Sequence, residues 1–90
     1  MANTRSALKR IRSSEKKRER NRFFRSTART QIKQARRLID EGKMEEAETA
    51  VHQAISALDT AAQKGIIHRN NAARRKSRLM QQFNKALAQS

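Results

Sequence analysis

The side chains of this 90-residue sequence that could do chemistry are overwhelmingly cationic, with 22 Lys or Arg against 8 Asp or Glu and a net charge of +14 at pH 7. Two histidines, His52 and His68, are the remaining candidates for acid–base or metal chemistry, and there is no Cys. Neither histidine has a Ser or a carboxylate at the spacing of a catalytic set, and two lone histidines do not make a metal site. Both read as structural. Without thiols the chain has no disulfide framework and no redox chemistry, and it carries no glycine-rich phosphate loop or zinc-finger pattern. What remains is the chemistry of Arg and Lys toward polyanions: counterion release on neutralising phosphates, and hydrogen bonds to phosphate oxygens. No enzymatic activity, cofactor, metal or small-molecule substrate is expected. A pI near 11.8 implies self-repulsion that an anionic partner must offset, and nucleic acid is the obvious polyanion.

The cations fall into two blocks. Residues 1–37 hold fourteen of them, opposed only by Glu15 and Glu19, a local net charge of +12. Among these, Lys9, Lys16, Lys17, Arg18, Arg22, Arg25, Arg29 and Lys33 surround the axis of a helix more than they line one face, and Arg5 and Arg10 extend the set. That suits a helix inserted between nucleic-acid segments, with phosphates on several sides. Asn3, Ser6, Ser13, Ser14, Asn21, Ser26, Thr27 and Thr30 interleave with them. These small polar residues permit close backbone approach and can bond phosphate or ribose 2′-hydroxyls.

The second block begins at Lys64 and runs from His68, Arg69 and Asn70 through Arg74, Arg75, Lys76, Ser77 and Arg78, with no acid after Gly65. Arg69 in a first helical turn opposes the helix dipole, a conflict that an anion in front of that end removes. Two readings of this end stand side by side: the amides there, with Arg69 and Asn70, hold a phosphate, or His68 or Asn70 caps the helix. Between the blocks, residues 38–64 carry six acids and two lysines, a net of −4. That segment is the side turned away from a polyanion.

The elements that must position these residues are helices. There is no Pro, and the two glycines, Gly42 and Gly65, act as punctuation where a left-handed residue would end a helix. The expected helices span about 4–41, 45–63 and 69–88. Phe24, Ala28, Ile32, Ala35 and Ile39 form one stripe in the first, and Ala47, Val51, Ala54, Leu58 and Ala61 form another in the second. Ala73, Met80, Phe83 and Leu87 are the expected stripe of the third, with Leu38, Ile55, Ile66, Ile67 and Leu79 completing the core or closing its ends. Short loops make neighbours antiparallel. The expected fold is therefore all-α: one domain over residues 1–90, an antiparallel three-helix bundle with a long N-terminal basic helix extending beyond it.

Length sharpens this. The first helix should run to roughly 57 Å and the others to about 28 Å each. Carried back from Phe24, the stripe meets Asn21, Lys17, Ser14 and Arg10, all polar. The first twenty residues thus have no core to hold them, and their helical order must come from a partner. Phe24 belongs at the margin of the core, whereas Phe23 points nearly the opposite way, either stacking on a base or standing in solvent. With 36% hydrophobic residues and a mean hydropathy of −1.01, the core is thin. No apolar run is long enough for a signal peptide or a membrane span. A soluble cytoplasmic protein is expected.

The opening Met-Ala-Asn-Thr-Arg-Ser-Ala-Leu-Lys-Arg-Ile-Arg, the run Ser-Glu-Lys-Lys-Arg-Glu-Arg-Asn-Arg at 14–22, Arg29-Thr30, and the segment 64–79 containing Gly-Ile-Ile-His-Arg-Asn resemble the bacterial small-subunit ribosomal protein S-twenty family. The resemblance covers essentially the whole chain and is weakest in the second helix. It implies a three-helix bundle that binds small-subunit (16S) ribosomal RNA directly and early in assembly, at the 5′ domain and the long penultimate stem, with few or no protein contacts needed. Two positions depart from the family pattern: Phe23-Phe24 stands where small or basic residues are usual, and Lys43 where an acidic or amide cap is usual. A DNA-binding nucleoid-type architectural protein is the rival reading that composition permits, but no dimer seam or minor-groove wedge is visible. A membrane-active cationic helix lacks its apolar face, with Leu8 and Ile11 nearly alone in residues 1–22.

Overall fold

A computed structural model describes residues 5–89, the side chains of Arg5 and Ser6 excepted. It contains three helices, α1 (Arg5–Asp40), α2 (Met44–Gln63) and α3 (Arg69–Gln89), and no strand among the described residues. The limits agree with the expected ones to within a residue at each end, apart from the expected start at Thr4, which lies outside the described residues.

Both glycines end helices through the same device. At the end of α1 the Lys43 amide donates to the Leu38 carbonyl and the Gly42 amide to the Ile39 carbonyl, each at 3.1 Å, with Gly42 at φ +76°. At the end of α2 the Ile66 amide donates to Ala61 at 2.9 Å and the Gly65 amide to Ala62 at 3.0 Å, with Gly65 at φ +74°. This paired pattern satisfies the last carbonyls of a helix and requires a left-handed residue. Ile66, just past Gly65, is buried and seals the turn.

The helices run up, down and up. Arg37 and Leu38 face Lys43, Glu46 and Ala50 across one groove, whereas Arg25 reaches Ile66 just beyond the far end of α2. Asp59 of α2 meets Lys76 of α3, so that pair is antiparallel as well. The core comprises Ala28, Ile32, Ala35, Leu38 and Ile39 from α1, Ala47, Ala50, Val51, Ala54 and Leu58 from α2, and Ala72, Leu79 and Phe83 from α3. Many of these are alanines, which bring the helices close but bury little area.

Of the residues expected from α3, Leu79 and Phe83 are buried and Met80 packs against the core, while at the two ends Ala72 takes the place of Ala73 and Ala86 that of Leu87. Ala73 is exposed and Leu87 is 45% exposed. One residue is a rotation of about 100° on a helix. The ends are hard to read because each offers two adjacent apolar residues, Ala72 with Ala73 and Ala86 with Leu87. Lys76 itself is half-buried, and its ammonium meets Asp59 of α2 at 2.9 Å.

Half of α1 leaves the bundle. Residues 8–20 are exposed without exception. The molecule measures 65 × 21 × 14 Å with a radius of gyration of 17.7 Å, against about 12 Å for a compact chain of this length.

Candidate nucleic-acid interface

Two adjoining grooves run along the seam where α1 and α3 lie side by side. One is lined by Arg29, Ile32, Lys33 and Arg36 of α1 and Arg75 and Arg78 of α3. The next is lined by Arg25, Ala28, Arg29, Ile66, Ile67, His68, Asn71 and Arg75. Arg29 and Arg75 belong to both, so the seam is one continuous track floored by apolar residues and walled by cations. No acid lines either groove.

Helix periodicity builds this arrangement. Arg29, Lys33 and Arg36 step by four and three, placing them beside the buried stripe of Ala28, Ile32 and Ala35. Arg75 and Arg78 do the same beside Ala72 and Leu79. Because α1 and α3 run in the same direction, the two cationic rows rise together.

The end of the track near the loop is organised by two side chains. Arg25 donates a hydrogen bond to the Ile66 carbonyl at 3.0 Å. His68 precedes α3 and its Nδ1 accepts from the Asn70 amide at 3.1 Å, while its carbonyl accepts the first helical bond from Ala72. His68 is therefore the cap of α3. The Asn70 amide is engaged by that cap, and Arg69 and Asn70 do not line the groove; Asn71 does.

The ion pairs show where charge is already compensated. Among the described residues they are Arg37 with Glu41, Lys43 with Glu41, His52 with Glu48, and Lys76 with Asp59. Every acid involved lies at the end of α1 or on α2. The cations of the arm and the α1–α3 track join none of them, so their field is left for an external anion.

The remaining expected binding residues distribute as follows. Lys9, Arg10, Ser13 and Lys17 line one side of the arm together with Ser14. Lys16, Arg18, Arg22 and Ser26 are exposed elsewhere around it, and Asn21 is half-buried where the arm meets the bundle. Thr30 sits on another face of α1, beside Lys33 and Arg36. Lys64 places its ammonium 5.3 Å from the centre of the Phe24 ring. Arg74 and Ser77 are exposed on α3, outside both grooves. Lys76 faces Asp59 rather than the track. Asn3 lies outside the described residues, as do the side chains of Arg5 and Ser6. Two polar residues of the track were not among those expected, Arg36 and Asn71. The signal for Arg36 was its step of three from Lys33.

Residues 2–84 match the family Ribosomal protein S20. The Small ribosomal subunit protein bS20 of Thermomicrobium roseum is 58% identical over 84 residues, covering 93% of this chain and 85% of that protein. Its counterpart from Roseiflexus sp. (strain RS-1) is 56% identical over 90 residues, covering all of this chain and 98% of that protein. The one from Aquifex aeolicus is 47% identical over 89 residues, covering 99% of this chain and 95% of that protein. Matched from end to end in this way, the chain belongs to the ribosomal protein S20 family.

Proposed function

We propose that the whole chain is a single ribosomal-RNA-binding domain that holds small-subunit (16S) ribosomal RNA through two basic surfaces, the free arm of α1 and the α1–α3 track. The family is one of structural ribosomal proteins without enzymatic activity, and its place is the cytoplasmic ribosome. The observation that carries the RNA reading is the continuous track of Arg29, Lys33, Arg36, Arg75 and Arg78 with no acid on its walls. A strand laid in the track places consecutive phosphates between two cationic rows, and the arm supplies a second, diverging contact. One small protein then ties two RNA segments together by charge neutralisation and shape. The family resemblance points to the 5′ domain and the penultimate stem as these two segments, with few or no protein contacts needed.

Chemical footprinting of the protein on small-subunit ribosomal RNA tests partner and geometry together. Two separate protected regions are expected, one of which disappears when residues 1–22 are deleted. Equal affinity for duplex DNA of the same charge, or full RNA affinity after the deletion, would overturn the reading.

A further inference from the structure

Phe23 is the most exposed large apolar side chain of the described residues, at 64%, and it stands where the arm leaves the bundle. It does not stand alone. Its ring meets the Phe24 ring edge to face, with centroids 5.6 Å apart and planes 79° apart. Phe24 is half-buried, and the Lys64 ammonium lies 5.3 Å from its centre. Phe24 thus fixes Phe23 from inside, and that contact covers at most one face of the outer ring. Arg20, one turn earlier, and Arg22, next in sequence, are both exposed; Glu19 is the single acid within a turn of Phe23.

We propose that Phe23 is a stacking platform for an unpaired nucleobase of the bound RNA, a proposal that rests on the RNA-binding reading above. An aromatic face is what an unstacked base seeks, and single-stranded bulges and loops present such bases. The charge around the ring selects this occupant. Arg20, Arg22 and Lys64 draw a phosphate backbone to the collar, whereas a second copy of a chain with net charge +14 would bring like charges face to face. The platform adds a contact that cation–phosphate pairing cannot supply, because it does not weaken with salt.

The chain contains no Trp or Tyr, so F23W makes a unique fluorescent reporter in the full-length protein. The probe is a small-subunit ribosomal RNA fragment covering the footprint. Substitution F23A should weaken binding roughly 5- to 150-fold and leave the salt slope unchanged. F23L should behave like F23A, whereas F23W should bind at least as tightly as the wild type with its emission quenched by RNA. Circular dichroism of F23A should match the wild type, since the side chain is exposed. Wild-type affinity in F23A or F23L, or unquenched emission in bound F23W, overturns the proposal. So does a loss of self-association in F23A with RNA affinity unaltered. If the wild type itself shows no steep salt-dependent binding, the RNA reading fails with it; if the wild type binds and F23A binds equally, only the stacking fails.

Discussion

The guanidinium of Arg25 donates across the molecule to the main-chain carbonyl of Ile66, 3.0 Å away and 41 residues distant in sequence. This bond ties the root of the arm to the loop between α2 and α3, at the mouth of the track that Arg25 and His68 both line. One residue therefore holds the fold and shapes the candidate interface. Replacing Arg25 with Ala should lower unfolding free energy by about 1 kcal/mol in a denaturant titration, since the bond is only part-buried. It should also reduce RNA affinity. R25K keeps the charge but not the planar fork, and should restore affinity more fully than stability. An equal recovery of both would separate Arg25 from the loop.

The track makes a quantitative prediction about salt. Arg29 and Arg75 line both grooves, so each should neutralise a phosphate. R29A and R75A should each reduce the slope of log affinity against log salt by about 1. Arg37 and Lys76 are already paired with Glu41 and Asp59, and R37A and K76A should leave the slope nearly unchanged. Filter-binding titrations over a range of potassium chloride concentrations read this directly. Equal slope changes in all four variants would show that net charge, not placement, governs binding.

The turns predict stability changes of opposite sign. Lys43 precedes α2 without any side-chain bond to its amides, so K43S should stabilise the bundle by about 1 kcal/mol. Gly65 lies at φ +74° with open space where a Cβ would stand. The cost of G65A is then purely conformational, about 1–2 kcal/mol, and G65N should cost less because Asn tolerates that region. Thermal unfolding should move by roughly 4–8 °C for each kcal/mol in a domain of this size.

The core predicts a larger effect. Leu58 is fully buried among all three helices' contributions, and L58A should cost about 2–5 kcal/mol. Leu8 is 51% exposed on the arm, and L8A should change stability by less than about 0.5 kcal/mol. A comparable loss in both would mean that the arm packs against something in solution.

Most of the fold was legible because three kinds of signal agreed. Gly42 and Gly65 marked the helix ends, the steps of three and four placed Ala28 to Ile39 and Ala47 to Ala61 in the core, and the loss of apolar residues before Phe24 marked the edge of the bundle. The ends of the α3 stripe were less legible because Ala72 and Ala73, and likewise Ala86 and Leu87, offer an apolar residue at either of two neighbouring rotations. The same limit applies to the site. The expected three-helix bundle already set the cations of α1 and α3 side by side, but not which of them share a wall; the structure joins Arg36 to Arg78 and brings Asn71 to the mouth of the track. The role of His68 was undecidable from type, since capping and phosphate binding ask for the same exposed position.

The arm gives the last prediction. Residues 8–20 are helical yet all exposed, and no ion pair among the described residues bridges their turns. An isolated helix of such length is marginal in water, and stacked cations weaken it further. In the free protein, amides of residues 8–20 should exchange with solvent orders of magnitude faster than those of residues 28–39, whose side chains build the core. Bound phosphates remove the repulsion that opposes the helix, so binding to small-subunit ribosomal RNA should slow exchange in the arm far more than in the core. Neutralisation by high salt should recover part of that protection without RNA, because screening acts on the same repulsion. An arm that is already as protected as the core in the free protein at low salt would mean that its helix does not depend on a partner.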